Sequence, residues 1–189
     1  MPFDHFDLIA HCYDRAGEFQ LTEPMLGMLS PRSNDILLDV GGGTGRVSRA
    51  LRGMVKKAFV VDVSRGMLKS AASKGLTTVC SPAESLPFPS ESIDRIFMLD
   101  AFHHVVDQSR TASELWRVLA PGGRILIIEP DIRKWQVKAI AIGEKLLLMR
   151  SRILSGEKVA ALFPIPDARL NLQREGSNVY LSVEKADNP

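Results

Sequence analysis

The run Leu37-Leu38-Asp39-Val40-Gly41-Gly42-Gly43-Thr44-Gly45 sets glycines directly behind a short apolar stretch. Glycine lets the backbone turn tightly and approach a ligand with no Cβ in the way. A helix opening at Gly45 would add N–H groups and a positive dipole end, so such a loop can hold a phosphate or equally a carboxylate. Spacing narrows the choice. A dinucleotide loop has the form GxGxxG or GxGxxA. Counted from Gly41, the last position is Arg46, and counted from Gly43 it is Ser48, so neither fits. A GxxxxGK[ST] phosphate loop needs a lysine, and none follows Gly45. What fits is an acid, Asp39, two residues ahead of the alternating glycines Gly41, Gly43 and Gly45, with Gly42 between them.

A second acid closes the next apolar run, Val60-Val61-Asp62-Val63-Ser64. Its distance from the glycines is about that at which doubly wound folds set a carboxylate on ribose hydroxyls. A carboxylate can accept from both hydroxyls of a diol, and Ser64 is placed to cap the following helix. Further on, Asp100-Ala101-Phe102-His103-His104 follows another apolar run. Either histidine could serve as a general base near neutral pH; the plainer reading has one packed in the interior and the other capping or facing solvent. Glu114 and Arg117 stand one helical turn apart and can pair, and Pro121-Gly122-Gly123 reads as a helix stop and turn.

These residues need elements to hold them. Apolar, β-branched runs predict strands over 36–40, 58–63, 77–80, 93–99 and 124–129, with helices over 45–52, 64–74 and 108–119 between them. Such alternation implies βαβ units and a parallel sheet, and the unbroken run Ile125-Leu126-Ile127-Ile128 suits a strand buried on both faces. Residues 5–30 look helical, interrupted by Gly17 and Pro24, and 132–160 form a long helical pattern. The tail holds two strand-like runs, 168–173 and 178–184, around Arg174-Glu175-Gly176-Ser177, which predicts an antiparallel hairpin on the sheet edge.

Bulk properties limit the classes of function. The 189 residues suit one domain with one substantial core. Hydrophobic residues at 45% and charged residues at 24% describe a globular protein and exclude a disordered or fibrous one. A net charge of +2 gives no reason to expect a nucleic-acid partner. Cys12 and Cys80 form no CxxC and read as free thiols of a reducing compartment. Met1-Pro2-Phe3-Asp4-His5-Phe6-Asp7 has neither the basic nor the apolar region of a signal peptide, and no apolar run reaches the roughly twenty residues of a membrane span. The expected location is the cytoplasm.

The glycine and acid pattern resembles the class I S-adenosylmethionine-dependent methyltransferases. Ala83-Glu84-Ser85-Leu86-Pro87-Phe88-Pro89 followed by Ser92-Ile93-Asp94 resembles the AExLPF…SFD segment of their ubiquinone/menaquinone-type branch. His103-His104-Val105 resembles its HHV, Glu114-Leu115-Trp116-Arg117-Val118-Leu119-Ala120-Pro121-Gly122-Gly123 its ExxRVLKPGG, and Phe6-Asp7-Leu8-Ile9-Ala10 with Tyr13-Asp14 its FDxIAxxYD. The resemblance covers roughly residues 5–130, with a weaker match in the final hairpin.

It implies a Rossmann-like, doubly wound α/β fold. Seven strands would form a mostly parallel sheet with an antiparallel C-terminal hairpin and helices on both faces. Residues 1–189 would be one domain: N-terminal helices over 1–33, a cofactor-binding core over 34–130, a long helical region over 131–163 and the hairpin over 164–189. The implied cofactor is S-adenosyl-L-methionine, the product S-adenosyl-L-homocysteine, and the acceptor small or lipophilic, a quinone precursor being one candidate. Gly41 and Gly43 would approach the methionine part, Asp39 would hold the loop or the cofactor ammonium, and Asp62 with Val63 would meet the ribose. Met67, Pro82, Ala83 and Glu84 would surround the adenine, with Asp100, Ala101 and Phe102 beside them and Tyr13 closing over the cofactor. The family's aspartate before the alanine is here Pro82, so Glu84, a backbone carbonyl or apolar contact must hold the adenine amine. No metal is implied.

Between Asp131 and Phe163, Trp135, Ala139, Ile142, Leu146, Met149 and Ile153 recur at spacings of four and three, while Lys138, Lys145 and Arg152 fall on another face. This basic amphipathic pattern over 134–154 is read first as a sheet-covering helix with a solvated face, and second as a peripheral contact with anionic membrane. The span between the last parallel strand and the hairpin is short for the branch, so the pocket would be open or completed by a second chain in a homodimer. A non-catalytic, methyltransferase-like subunit that binds cofactor or a partner is the alternative function.

Overall fold

A computed structural model describes residues 19–134, 152–163 and 168–187 of the chain. The element order is α1 (Glu23–Leu29), β1 (Ile36–Val40), α2 (Arg46–Ala50), β2 (Lys57–Asp62), α3 (Arg65–Ser73), β3 (Thr77–Cys80) and β4 (Ile93–Leu99). A 3-10 turn (Phe102–His104), α4 (Gln108–Val118), β5 (Leu119–Pro130), α5 (Gly156–Ala160), β6 (Ala168–Glu175) and β7 (Asn178–Lys185) follow. Seven strands form one sheet in the order β3-β2-β1-β4-β5-β7-β6. The first five run parallel, and β7 pairs antiparallel with both β5 and β6. This is the doubly wound, mostly parallel sheet with a C-terminal hairpin that the pattern predicts.

The pleat sorts neighbouring apolar residues onto opposite faces. Leu37, Phe97, Leu126 and Ile128 pack with Met25, Met28 and Leu29 of α1, with Val47 of α2 and with Leu51 just after it. Their neighbours Leu38, Ile96, Ile125 and Ile127 pack with Ala112, Leu115 and Val118 of α4 and with Val159 of α5. Helix α3 lays Leu68 and Ala71 on Val60. Both faces of β1, β4 and β5 are therefore covered, which is why these strands read as unbroken apolar runs.

Local chemistry sets the helix starts. The Ser64 hydroxyl accepts from Met67 N at 3.2 Å and caps α3, as expected. Asp107 does the same for α4 through Arg110 N at 2.9 Å. Glu114 and Arg117 form the expected pair, with Nε to Oε1 at 2.8 Å and Nη2 to Oε2 at 2.9 Å. The pair also grips the approach to β4: Leu86 N donates to Glu114, and Arg117 donates to the Leu86 and Phe88 carbonyls.

Two expectations are corrected. Pro121-Gly122-Gly123 is no turn before the strand, because β5 already begins at Leu119. Ile93 pairs with Leu119 and Arg95 with Arg124, so the extra residues are taken up as a bulge with Gly122 at φ +70°. The long helix over 132–160 also does not hold at its ends. Residues 131–134 form a turn, 152–155 are irregular, and among the described residues of this span only those of α5 are helical. The rest of that pattern, like most of the expected N-terminal helices, lies outside the described residues. No helix among the described residues is long and apolar enough to cross a membrane.

Candidate functional site

A cavity of about 290 Å³ opens at the carboxyl ends of β1, β2 and β4, close to the lower end of the range for small-molecule sites. In open α/β sheets ligands bind at this end, where the strand order reverses. Here the reversal lies between β1 and β4.

The glycine loop forms the floor. Gly41 N and Gly42 N both donate to the Val61 carbonyl, at 2.8 and 3.2 Å. Gly43 N donates to Asp62 Oδ2 at 2.9 Å, and Asp62 Oδ1 accepts from Ser64 N at 2.8 Å. One carboxylate thus stitches the loop after β1 to the start of α3. Gly41, at φ +68°, could carry no side chain, since a Cβ there would collide with the Ala101 methyl. Gly43, at φ +55°, is held by different constraints: a Cβ there would meet only Met67 Sδ, at 3.7 Å, and would otherwise stand in the cavity. The buried Thr44 hydroxyl, on the same wall, has no hydrogen-bond partner among the described residues. Space that glycine keeps open on a cavity wall is what a closely approaching ligand requires.

Asp39 lies behind the loop, 1% exposed, with Oδ2 accepting from Ser48 N at 3.1 Å and Ser48 Oγ at 2.8 Å. It does for α2 what Gly45, the N-cap residue without a side chain, cannot. Burial pushes the Asp39 carboxyl up to about 6, although both bonds from Ser48 pull it down. A folded value above the unfolded 3.8 means that the ionised form costs stability. The cost is absent below about pH 4, grows as pH rises and is complete above about pH 6–7, where it amounts to about 2–3 kcal/mol. Asp39→Asn keeps an acceptor for Ser48 and carries no charge. Its stability relative to the native chain is therefore expected to improve between pH 4.5 and pH 7.5, measured by urea unfolding; a pH-independent difference would contradict this assignment.

The other walls come from three segments. Val63, 59% exposed, and Met67 follow β2. Pro82, Ala83 and Glu84 follow β3. Glu84 Oε1 accepts from Val106 N at 2.7 Å and Asp107 N at 3.1 Å, so it also ties this segment to the start of α4. Asp100, Ala101 and His104 follow β4, with Asp100 in the left-handed region at φ +49°. A non-glycine residue held there is strained, and its surroundings must fix it.

Glu129, at the end of β5, supplies that hold. Its Oε1 accepts from Ala101 N at 3.1 Å and Phe102 N at 2.9 Å, and its Oε2 lies 2.6 Å from His103 Nδ1. His103 is 4% exposed and stands behind the cavity wall, whereas its neighbour His104 lines it. Phe102 and Gly45 also stand behind the wall. Phe102 belongs to the core, and the Cβ position of Gly45 is taken by Leu76. Tyr13 lies outside the described residues.

The cavity wall therefore brings together Asp39, Gly41, Gly42, Gly43, Asp62, Val63, Met67, Pro82, Ala83, Glu84, Asp100, Ala101 and His104. Sequence reasoning missed Glu129, Thr44 and Val106, the last an apolar residue 76% exposed at the rim. Glu129 had one visible signal, a lone acid closing the most apolar strand run. No group of three or more His, Cys, Asp or Glu suited to a metal ion occurs among the described residues.

Residues 38–127 match a family model described as a methyltransferase domain. The chain is 33% identical over 114 residues to the ubiquinone/menaquinone biosynthesis C-methyltransferase UbiE of Bordetella parapertussis, an alignment covering 55% of this chain and 44% of that protein. It is 29% identical over 133 residues to the demethylmenaquinone methyltransferase of Thermobifida fusca, covering 67% of this chain and 56% of that one. The chain thus spans about half the length of these relatives. Among solved structures, the complex between the Haloferax volcanii Trm112 methyltransferase activator and a methyltransferase superposes with a TM-score of 0.83 at 18% identity, covering 100% of both chains. That likeness is one of fold.

Proposed function

We propose, for a chain that carries a class I S-adenosylmethionine-dependent methyltransferase domain of the ubiquinone/menaquinone type, the transfer of a methyl group to a small or lipophilic acceptor. The observation that carries this reading is the Asp62 carboxylate, fixed by Gly43 N and Ser64 N at the rim of a glycine-floored cavity. Each of its oxygens keeps acceptor capacity for a ribose hydroxyl. The space kept open at Gly43 receives the methionine part. Asp39, behind the loop, has its carboxyl pushed up to about 6 by burial, and a cationic ammonium held on the other side of the loop would favour its ionised form. Glu84 Oε1 serves Val106 and Asp107, which leaves Oε2 for the adenine amine, while Val63, Met67 and Ala83 give the ring apolar contact.

The bound cofactor supplies a methyl on sulfonium sulfur, already electrophilic. The chain then has to hold an acceptor in line with that methyl at near-attack distance. The exposed Val63 and Val106 at the rim favour an acceptor with an apolar body, and the relatives' quinone-related names favour a ring of that class. His104 is placed to take a proton where the acceptor must lose one. His104→Ala is expected to lower kcat about a hundredfold and to remove the acidic limb of the pH–rate profile, with cofactor affinity kept. Unchanged kcat would leave the reaction to positioning alone.

Titration calorimetry with S-adenosylmethionine, S-adenosylhomocysteine and NAD tests the cofactor. Isotope-labelled methyl transfer to a panel of quinols, phenols, amines and thiols tests the acceptor. Binding of NAD alone would overturn the reading. Homocysteine-form binding with no transfer to any acceptor would favour a non-catalytic binding subunit.

A further inference from the structure

The two edges of the sheet are finished differently. β3, at one edge, has only four residues, Thr77–Cys80. β6, at the other, has eight, Ala168–Glu175, with no proline, no lysine and an unbroken register against β7. Natural sheets blunt an exposed edge by shortness, proline, a bulge or charged side chains, lysine above all. β3 uses the first device; β6 has neither shortness, proline nor bulge, and its charges, Arg169, Arg174 and Glu175, are of both signs and can be matched by a partner strand. Among the described residues only β7 pairs with it.

The hairpin fixes what that edge presents. β6 and β7 are joined by Gly176 and Ser177, with Gly176 at φ +57° and Glu175 facing Asn178. In a two-residue hairpin the closing pair is hydrogen-bonded, and bonded pairs recur at every second residue. Glu175, Gln173, Asn171 and Arg169 therefore bond inward to β7. Arg174, Leu172, Leu170 and Ala168 turn their N–H and C=O groups outward.

On the α1 face, a row of charges crosses the sheet. Arg124 of β5 lies opposite Glu184 of β7, with Nη2 to Oε2 at 3.0 Å, and Glu184 lies opposite Arg169 of β6. The row alternates plus, minus, plus and ends at the open edge. Neither Arg169 nor Glu175 has an ion-pair partner among the described residues, whereas Arg174, on the other face, already pairs with Glu157. The next strand in the row should offer a carboxylate.

We propose that the occupant of this edge is β6 of a second copy of the chain, antiparallel and centred on Leu172. About a two-fold axis at Leu172, Arg169 falls opposite Glu175 of the other copy and Glu175 opposite its Arg169, on one face. Leu170 falls opposite Arg174, and Asn171 opposite Gln173. Leu172 meets its own counterpart as a hydrogen-bonded pair, so about six main-chain hydrogen bonds form along the outward-facing groups. Centring the axis on any other residue of β6 separates the Arg169–Glu175 pairs. The contact is isologous and closes on itself, extending the charge row to Arg124, Glu184, Arg169 and the second copy's Glu175. The cavity lies away from this edge and stays open in both copies.

Sedimentation velocity of the full chain, from low micromolar to near millimolar concentration, is expected to show a monomer–dimer equilibrium. Arg169→Glu alone and Glu175→Arg alone each set like charges opposite one another at both ends. Each is expected to weaken the dimer about tenfold, with the unfolding midpoint of Glu175→Arg close to native and that of Arg169→Glu slightly lowered by Glu184 opposite it. An equimolar mixture of the two variants is expected to form a heterodimer tighter than either self-association, and the double variant to recover dimerisation. Leu170→Pro, which removes an outward N–H without touching the β7 ladder, is expected to be monomeric. A monomer at every concentration would overturn the proposal. So would a dimer indifferent to both charge reversals, since it would form through another surface.

Discussion

Glu129→Ala is expected to destabilise the chain by about 3 kcal/mol or more in urea unfolding, the largest effect of any single substitution near the cavity. One buried carboxylate accepts from Ala101 N, Phe102 N and the His103 ring. Truncation takes the acceptor away from two main-chain donors and from His103 Nδ1 in a largely buried place. The turn they hold also carries Asp100, whose left-handed backbone has to be imposed from outside. Once released, the turn can move Ala101 away from Gly41, and cofactor affinity is expected to fall about tenfold as the floor loses its neighbour. Glu129→Gln separates the contributions. Its amide oxygen still accepts from Ala101 and Phe102, and its NH₂ can donate to a ring nitrogen of His103, so most of the stability should return. If alanine and glutamine behave alike, the three bonds are not what holds the turn.

Asp62→Asn is expected to act on the ligand more than on the fold. Both carboxylate oxygens already accept from main-chain N–H groups, Gly43 on one side and Ser64 on the other. An asparagine can satisfy only one of these and must turn an NH₂ toward the other. The loop or the helix start gives way, and on the proposed reading the ribose hydroxyls lose an acceptor at the same time. Calorimetric affinity for S-adenosylhomocysteine is expected to drop about a hundredfold, in line with two charge-assisted hydrogen bonds, with the unfolding midpoint shifted by only a few degrees. Native-like affinity in the variant would remove Asp62 from the cofactor site.

Much of this architecture is legible in the sequence because strand burial and glycine placement are local signals. The runs over 36–40, 77–80 and 93–99 are strands at those bounds, since each is rich in β-branched or large apolar residues and bounded by turn-forming or polar ones. The Pro121-Gly122-Gly123 bulge was not legible: a glycine at positive φ after a helix has the same local chemistry whether the chain then turns or bulges within a strand. Glu84 illustrates a different limit. Its position beside the cavity could be read, but its bonds to Val106 and Asp107 could not, because they join segments more than twenty residues apart. The same holds for Glu129 and the turn after β4. Motif spacing marks which residues gather at a site, whereas the division between groups that meet a ligand and groups that brace the wall is settled by tertiary contact.

The glycine loop has its own donors occupied. Gly41 and Gly42 give their N–H groups to Val61, and Gly43 gives its N–H to Asp62. A loop tied down in this way has its ordering entropy already met during folding. The cost of association then falls on the incoming molecule, which must give up its own rotational freedom, and hardly at all on the protein. Loosening either tether would transfer part of that entropic charge back to the binding step, so the grip on a ligand here is set in part by hydrogen bonds the ligand never touches.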